Sequence, residues 1–184
     1  VLCAATVISC GKESAPVTDG EPVVDGRVYV EFNASLQNGG EVSPESKTSL
    51  SGKSVLWSEN DAVAVFSQAS ANGAGERFDA VSVNGKSAVF GGNIVPSDTY
   101  YALYPYQESA VCSDGMIKAE LPVGQTAVED GFADNTNLAA AVSSEDAMIF
   151  RNLCSVVKFT LSEECPTFVS AGIRGANDEP IAGD

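Results

Sequence analysis

The chain has 184 residues, 44% of them hydrophobic, with 25 acidic against 10 basic side chains, a formal net charge of −15 and no histidine. The lysines and arginines are scattered singly, so the clustered cations that phosphate binding needs are missing and nucleic acid is not an expected partner. The missing imidazole removes Ser-His-Asp and Cys-His catalysis together with the commonest zinc ligand, and the length suits one domain behind a leader.

The first eight residues form a short apolar run that ends in Val7-Ile8-Ser9-Cys10. These four resemble a bacterial lipobox, in which small or β-branched residues fit an extended substrate groove and the following thiol takes diacylglycerol before the chain is cut in front of it. Residues 1–9 then read as the end of a lipoprotein signal peptide and Cys10 as the lipidated first residue of the mature chain. A plain signal peptide with an incidental cysteine, or a first strand, fits the same residues, although the run is too short to span a bilayer. Residues 10–26 are rich in Ser, Pro, Gly and acids without apolar periodicity, which is the composition of a flexible tether. Lys12-Glu13 resembles the short charged signal that directs Bacteroidetes lipoproteins to the outer face of the outer membrane. The domain is expected over residues 27–184.

From Arg27 the chain alternates with a period of two: Val28, Val30, Phe32, Ala34 and Leu36 against Tyr29, Glu31, Asn33 and Ser35. That pattern predicts a strand with one buried face. A polar loop from Gln37 to Glu45 follows, exposed and accessible to proteases. Thr48 to Trp57 reads as a strand broken at Ser51-Gly52. Ala62 to Phe66 is apolar at every position and is expected to be buried on both faces. Arg77 to Val83 and Lys86 to Phe90 flank Asn84-Gly85, a strong hairpin signal. Further strands are expected over Thr99 to Tyr106, Met116 to Leu121, Ala147 to Leu161, and at Val169, Ala171 and Ile173, with Asn177-Asp178 as the turn of a hairpin cut off by the chain end. The abrupt end suggests a fragment. Only Asn137 to Val142, with its alanines, hints at helix. Strands at this spacing predict an all-β fold, an antiparallel β-sandwich.

The chemistry-bearing residues are few. Of the five cysteines, Cys3 leaves with the leader and Cys10 takes lipid, so Cys112, Cys154 and Cys165 remain and cannot all pair. If Cys154 opens a strand that turns near Glu163, it stands about 20 Å from Cys165 at roughly 3.3 Å per strand residue, and no bridge between them is expected. Carboxylates at Asp130, Asp134, Glu145 and Asp146 are candidates for glycoside hydrolysis, and Glu129, Asp130, Asp134 and Asn137 for calcium. Clustered acids in a loop are usually solvated charge, and the second set lacks the Asp-x-Asp-x-Asp-Gly spacing of a calcium loop, so no catalytic residue, metal or cofactor is assigned. Tyr100, Tyr104 and Tyr106 are expected on one strand face, with Tyr101 and Leu103 on the other. Such a tyrosine face is either a sugar-stacking platform or part of the core with its hydroxyls at the rim.

Taken in order, several of these segments resemble the fimbrillin-like proteins of Bacteroidetes. The match runs from the lipoprotein cysteine and first strand through Lys47-Thr48, WSENDAVAVF from Trp57, Thr99 to Tyr106, Leu121-Pro122 with Gln125, and Asn152-Leu153 leading into Val156 to Phe159. It covers nearly all of residues 27–184. The resemblance implies the N-terminal domain of a lipoprotein member, with a transthyretin-like β-sandwich, export to the cell surface and assembly into fimbriae as stalk, anchor or tip subunit. Its implied partners are other fimbrial subunits, the outer membrane through the lipid, and a host or bacterial surface receptor. In stalk subunits a protease cuts behind the first strand and another subunit's strand fills the groove. The strand-exchange residues here are then Val28, Val30, Phe32, Ala34 and Leu36. The loop behind them holds no arginine, which leaves Lys47 as the candidate protease site and favours an uncleaved anchor or tip subunit. A surface lipoprotein that captures glycans through exposed aromatics is the alternative.

Overall fold

The computed structural model describes residues 26–37, 50–51, 54–70, 73–126, 132–154, 169–179 and 181–182. Cys10, the tether as far as Asp25, Lys47 and Cys165 lie outside the described residues, as does most of the apolar run after Asn152.

The described residues are all β, with no helix among them. Seven strands form one closed sheet: β1 (Val28–Leu36), β4 (Ala62–Ser67), β5 (Glu76–Asn84), β6 (Ser87–Ile94), β7 (Tyr100–Tyr104), β10 (Ala139–Ser143) and β11 (Ala147–Asn152). Their order around the barrel is β1-β11-β10-β7-β4-β5-β6, with β6 returning to β1. Two small hairpins complete the set, β2 (Leu50–Ser51) with β3 (Ser54–Val55), and β8 (Val111–Ser113) with β9 (Met116–Lys118). One pairing departs from the antiparallel expectation: β1 runs parallel to β11 while it runs antiparallel to β6. Closure explains the difference, because the first strand must fit between two partners that themselves run in opposite directions.

The buried residues fall into two apolar clusters, and β4 and β7 contribute alternate residues to both. Inside the barrel, Phe32 and Ala34 meet Val63, Val65, Phe78, Phe90, Ile94, Ala102, Tyr104, Met148 and Phe150. Trp57 fits among them with its ring edge-on to Phe90, Tyr104 and Phe150 at centroid distances of 5.0, 5.1 and 5.5 Å. Outside, Ala64 and Phe66 of β4 and Leu103 of β7 pack with Ala110, and with Tyr101, Tyr106, Cys112 and Ile117 at the margin. β4 is thus buried on both faces at all six positions, as its unbroken apolar run predicts. The covering segment is tied down by Gln107, whose side-chain amide donates to the Glu120 carbonyl at 2.8 Å and accepts from the Glu120 N–H at 2.9 Å.

Several local expectations need correction. Asn137 to Val142 is not helical: Ala139 to Ser143 forms β10, paired with β7 along its length and with β11 at its start. Alanine's helix preference is small beside the burial and ladder bonds gained between two strands. The β5–β6 turn is centred one residue later than Asn84-Gly85, since Asn84 pairs with Ser87 and Gly85 is the first central residue, at φ 62°. Glycine at that place suits a II′ turn. The strand from Thr99 ends at Tyr104, and Tyr106 joins the outer cluster instead of the face of Tyr100 and Tyr104. The expected Met116–Leu121 strand is only β9, paired with an unforeseen β8 across Asp114-Gly115, both at positive φ (51° and 76°). Val169, Ala171 and Ile173 form no strand, and Val169 is 91% exposed. They have no paired neighbour among the described residues, and alternation alone stabilises nothing. The turn at Asn177-Asp178 is present, with the Asp178 N–H donating to the Gly175 carbonyl at 3.2 Å.

Candidate functional site

The residues predicted to lie on one face of the first strand are brought together along β1. Phe32 and Ala34 are each 3% exposed, and Val30 and Leu36 pack at the margin of the same interior cluster. Val28 is half-buried at the strand start, while Glu31 and Asn33 face solvent. The cradle that receives this face comes from strands distant in sequence. Phe32 lies opposite Phe90, with its ring edge-on to Tyr100 at 5.0 Å and tilted against Phe78 at 5.7 Å. Ala34 sits between Ala88 of β6 and Met148 of β11, and Leu36 pairs with Phe150. Burying each large side chain of this face is worth about 1.5 to 3 kcal/mol, so the strand contributes strongly to its own retention.

The two ladders that hold β1 are unequal. The ladder to β6 runs from Val28 to Ser35, whereas that to β11 runs only from Asn33 to Leu36. Three further backbone bonds lock the latter half: Asn33 N–H to the Asp146 carbonyl at 2.7 Å, Leu36 N–H to the Lys86 carbonyl at 3.3 Å, and Gln37 N–H to the Phe150 carbonyl at 2.9 Å. At the entry to the strand, the Arg27 guanidinium meets the Glu76 carboxylate of β5 at 2.6 Å, with the two side chains 38% and 28% exposed. Sequence reading missed both this ion pair and the cradle. The alternation in β5, β6 and β11 carried the signal for Phe78, Phe90, Met148 and Phe150, but nothing in it told which strand each would face.

A buried polar corner that composition did not reveal stands at the entry to β4. Asp61, 7% exposed, accepts the Ser58 N–H at 2.7 Å and the Tyr104 hydroxyl at 2.9 Å, and its carbonyl accepts the Ala80 N–H at 3.0 Å. The backbone N–H of Trp57 donates to the Gly85 carbonyl at 2.9 Å. These bonds set Trp57 into the core and turn the chain into β4. An aspartate four residues after the tryptophan is the one visible cue.

The remaining candidates are dispersed. Asp134, Glu145 and Asp146 are exposed in turns, Glu129 and Asp130 lie outside the described residues, and Asn137 is buried. No group of three or more potential metal ligands occurs among the described residues. Tyr104 is buried with its hydroxyl on Asp61, and Tyr100 is half-buried with its hydroxyl accepting the Ser97 N–H at 2.9 Å. Tyr106 carries the Arg77 guanidinium 5.1 Å above its ring. That guanidinium is also bonded to Asp79, chiefly through a side-chain hydrogen bond, which raises its pKa. Cys112 and Cys154 are free thiols, and burial pushes the Cys112 pKa up, opposed in part by a backbone bond from Gly115. Comparison with protein-family models, with curated proteins and with solved structures finds no match to this chain.

Proposed function

We propose that this protein is a lipid-anchored cell-surface fimbrial subunit that assembles by β-strand exchange and supports adhesion. The observation that supports this reading is the place of β1. The first strand of the domain is the piece that joins β6 to β11 and closes the sheet. Its loss would leave two unpaired edges and an apolar trough lined by Phe78, Phe90, Tyr100, Met148 and Phe150. Such an edge recruits a strand of another chain by β-augmentation. The resemblance to fimbrillin-like proteins supplies the partners: other fimbrial subunits, the outer membrane through the Cys10 lipid, and a surface receptor. In the same reading the seven-stranded sheet corresponds to the family's transthyretin-like β-sandwich, and Lys47 stands where stalk subunits are cut. The glycan-capturing alternative asks for several open ring faces, whereas Phe32, Trp57, Phe66, Phe78, Phe90, Tyr104 and Phe150 are buried and the other described aromatics are half-buried.

A chain beginning at Thr48 tests the reading. It should aggregate or unfold on its own, and a peptide of Arg27 to Leu36 added in trans should restore a soluble, cooperatively folding species. A peptide carrying Val30→Asp with Phe32→Asp should not restore it, whereas one carrying Glu31→Lys should. Equal rescue by all three, or a truncated chain as stable as the intact one, would remove β1 from assembly. The anchor is tested separately, since Cys10→Ser should abolish labelling by a fatty-acid analogue and release the protein from membranes.

A further inference from the structure

The two halves of β1 are built differently, and the difference lies in what they pair with. Val30 and Glu31 stand opposite Gly92 and Gly91 of β6. Glycine weakens a strand interior, having no side chain to pack and the most backbone freedom to lose. Neither glycine is replaceable without rearrangement. A Cβ on Gly92 would stand 2.7 Å from the Phe78 ring, and one on Gly91 would collide with the Tyr29 hydroxyl. This half of β1 falls outside the ladder to β11, and the Arg27–Glu76 ion pair ties its entry across β6 to β5. The other half, Asn33 to Leu36, is laddered on both sides.

We infer that the Arg27 end of β1 is a latched flap: it opens as a unit while Asn33 to Leu36 keep the barrel closed, and the Arg27–Glu76 pair sets how often it opens. The inference rests on the strand-exchange reading for its use. An incoming strand meets the freed Gly91–Ile94 edge of β6 first and displaces β1 from the Arg27 end toward Leu36. The opening itself is a property of the single chain and is measured without a partner.

Amide hydrogen exchange on the full 184-residue chain reads it directly. The Leu36 N–H bonds to the Lys86 carbonyl at the entry to β6, so by the two-residue period the Val30, Phe32 and Ala34 N–H groups point to β6. These amides report the two halves against one partner strand. Val30 and Phe32 should exchange faster than Ala34 and Leu36. Arg27→Gln and Glu76→Gln should each speed only the first two, by about threefold for a half-exposed ion pair. Arg27→Glu combined with Glu76→Arg should restore the original protection, which separates loss of the latch from general damage. Equal acceleration of all four amides, or none, would overturn the flap. Uptake of a labelled Arg27–Leu36 peptide by the same variants distinguishes the two ideas. Selective opening without any uptake would sink the assembly reading and leave the flap standing, while uptake that ignores the latch variants would do the reverse.

Discussion

β4 and β1 stand three places apart around the barrel, and they are held in opposite ways. β4 is laddered to β5 and β7, faces the interior through Val63 and Val65, and carries the outer cluster through Ala64 and Phe66. β1 buries one face, exposes the other, and completes its second ladder over only half its length. A strand clamped on both faces cannot leave without dismantling two cores. A strand buried on one face exposes a single groove when it leaves, and another strand of the same pattern can refill it.

The largest effect should come from a charge placed in β4. Val65 is 0% exposed, so Val65→Asp buries a carboxylate without a partner at a cost of several kcal/mol, enough to erase cooperative folding in urea. The matching change on the open face of β1, Glu31→Lys, should leave the midpoint within error. A tolerated Val65→Asp would mean that β4 is no more fixed than β1.

Cavity variants sharpen the comparison. Phe66→Ala and Phe32→Ala should each cost about 3 to 5 kcal/mol by urea denaturation. Their reach should differ. Phe66→Ala should loosen the β8–β9 hairpin, seen as faster exchange of the Cys112 amide, which donates to the Gly73 carbonyl, because that hairpin rests on the outer cluster. Phe32→Ala should leave it protected, and if both variants release the hairpin the two cores are not separable.

A smaller effect belongs to the corner that sets β4 in place. Tyr104→Phe removes the hydroxyl that Asp61 accepts, and should cost about 1 to 3 kcal/mol while the Trp57 fluorescence changes with it. At the β8–β9 turn, Gly115→Ala should cost about 1 kcal/mol, since alanine resists the φ of 76° found there.

The smallest effect is electrostatic and sits in the outer cluster. Burial raises the Cys112 pKa above its ordinary 9.0, so the folded chain holds that proton more tightly than the unfolded one. Its contribution is therefore fully present below the ordinary thiol pKa and is lost as pH rises through the raised folded value. Iodoacetamide should alkylate Cys112 more slowly in the folded chain than in urea near pH 9.0. Equal rates would mean that the outer cluster does not shield the thiol.

Much of this was legible before any coordinates. The period of two in Val28 to Leu36 and the unbroken run Ala62 to Phe66 correctly gave one-sided and two-sided burial, because side chains alternate across a strand whatever its partners. The same reasoning fails at Asn137 to Val142, where local preference points to helix, and at Val169 to Ile173, where alternation has no partner strand among the described residues. Tyr106 was assigned to the wrong face because the strand stops two residues short of it. Asp114-Gly115 carries a turn signal of its own, and both residues take positive φ in the β8–β9 hairpin.

By itself the sequence determined that the domain is built of strands, where its principal apolar faces run, and that histidine chemistry is absent. Those follow from composition and from a periodicity that belongs to each strand alone. Only the tertiary structure decided that the sheet closes, that β1 lies parallel to β11, that Arg27 meets Glu76 across 49 residues, and that Phe78, Phe90 and Phe150 face inward around Trp57. Ladder bonds and apolar contacts have nearly the same energy for many pairings of similar strands, so the choice among them rests on how all seven fit together at once.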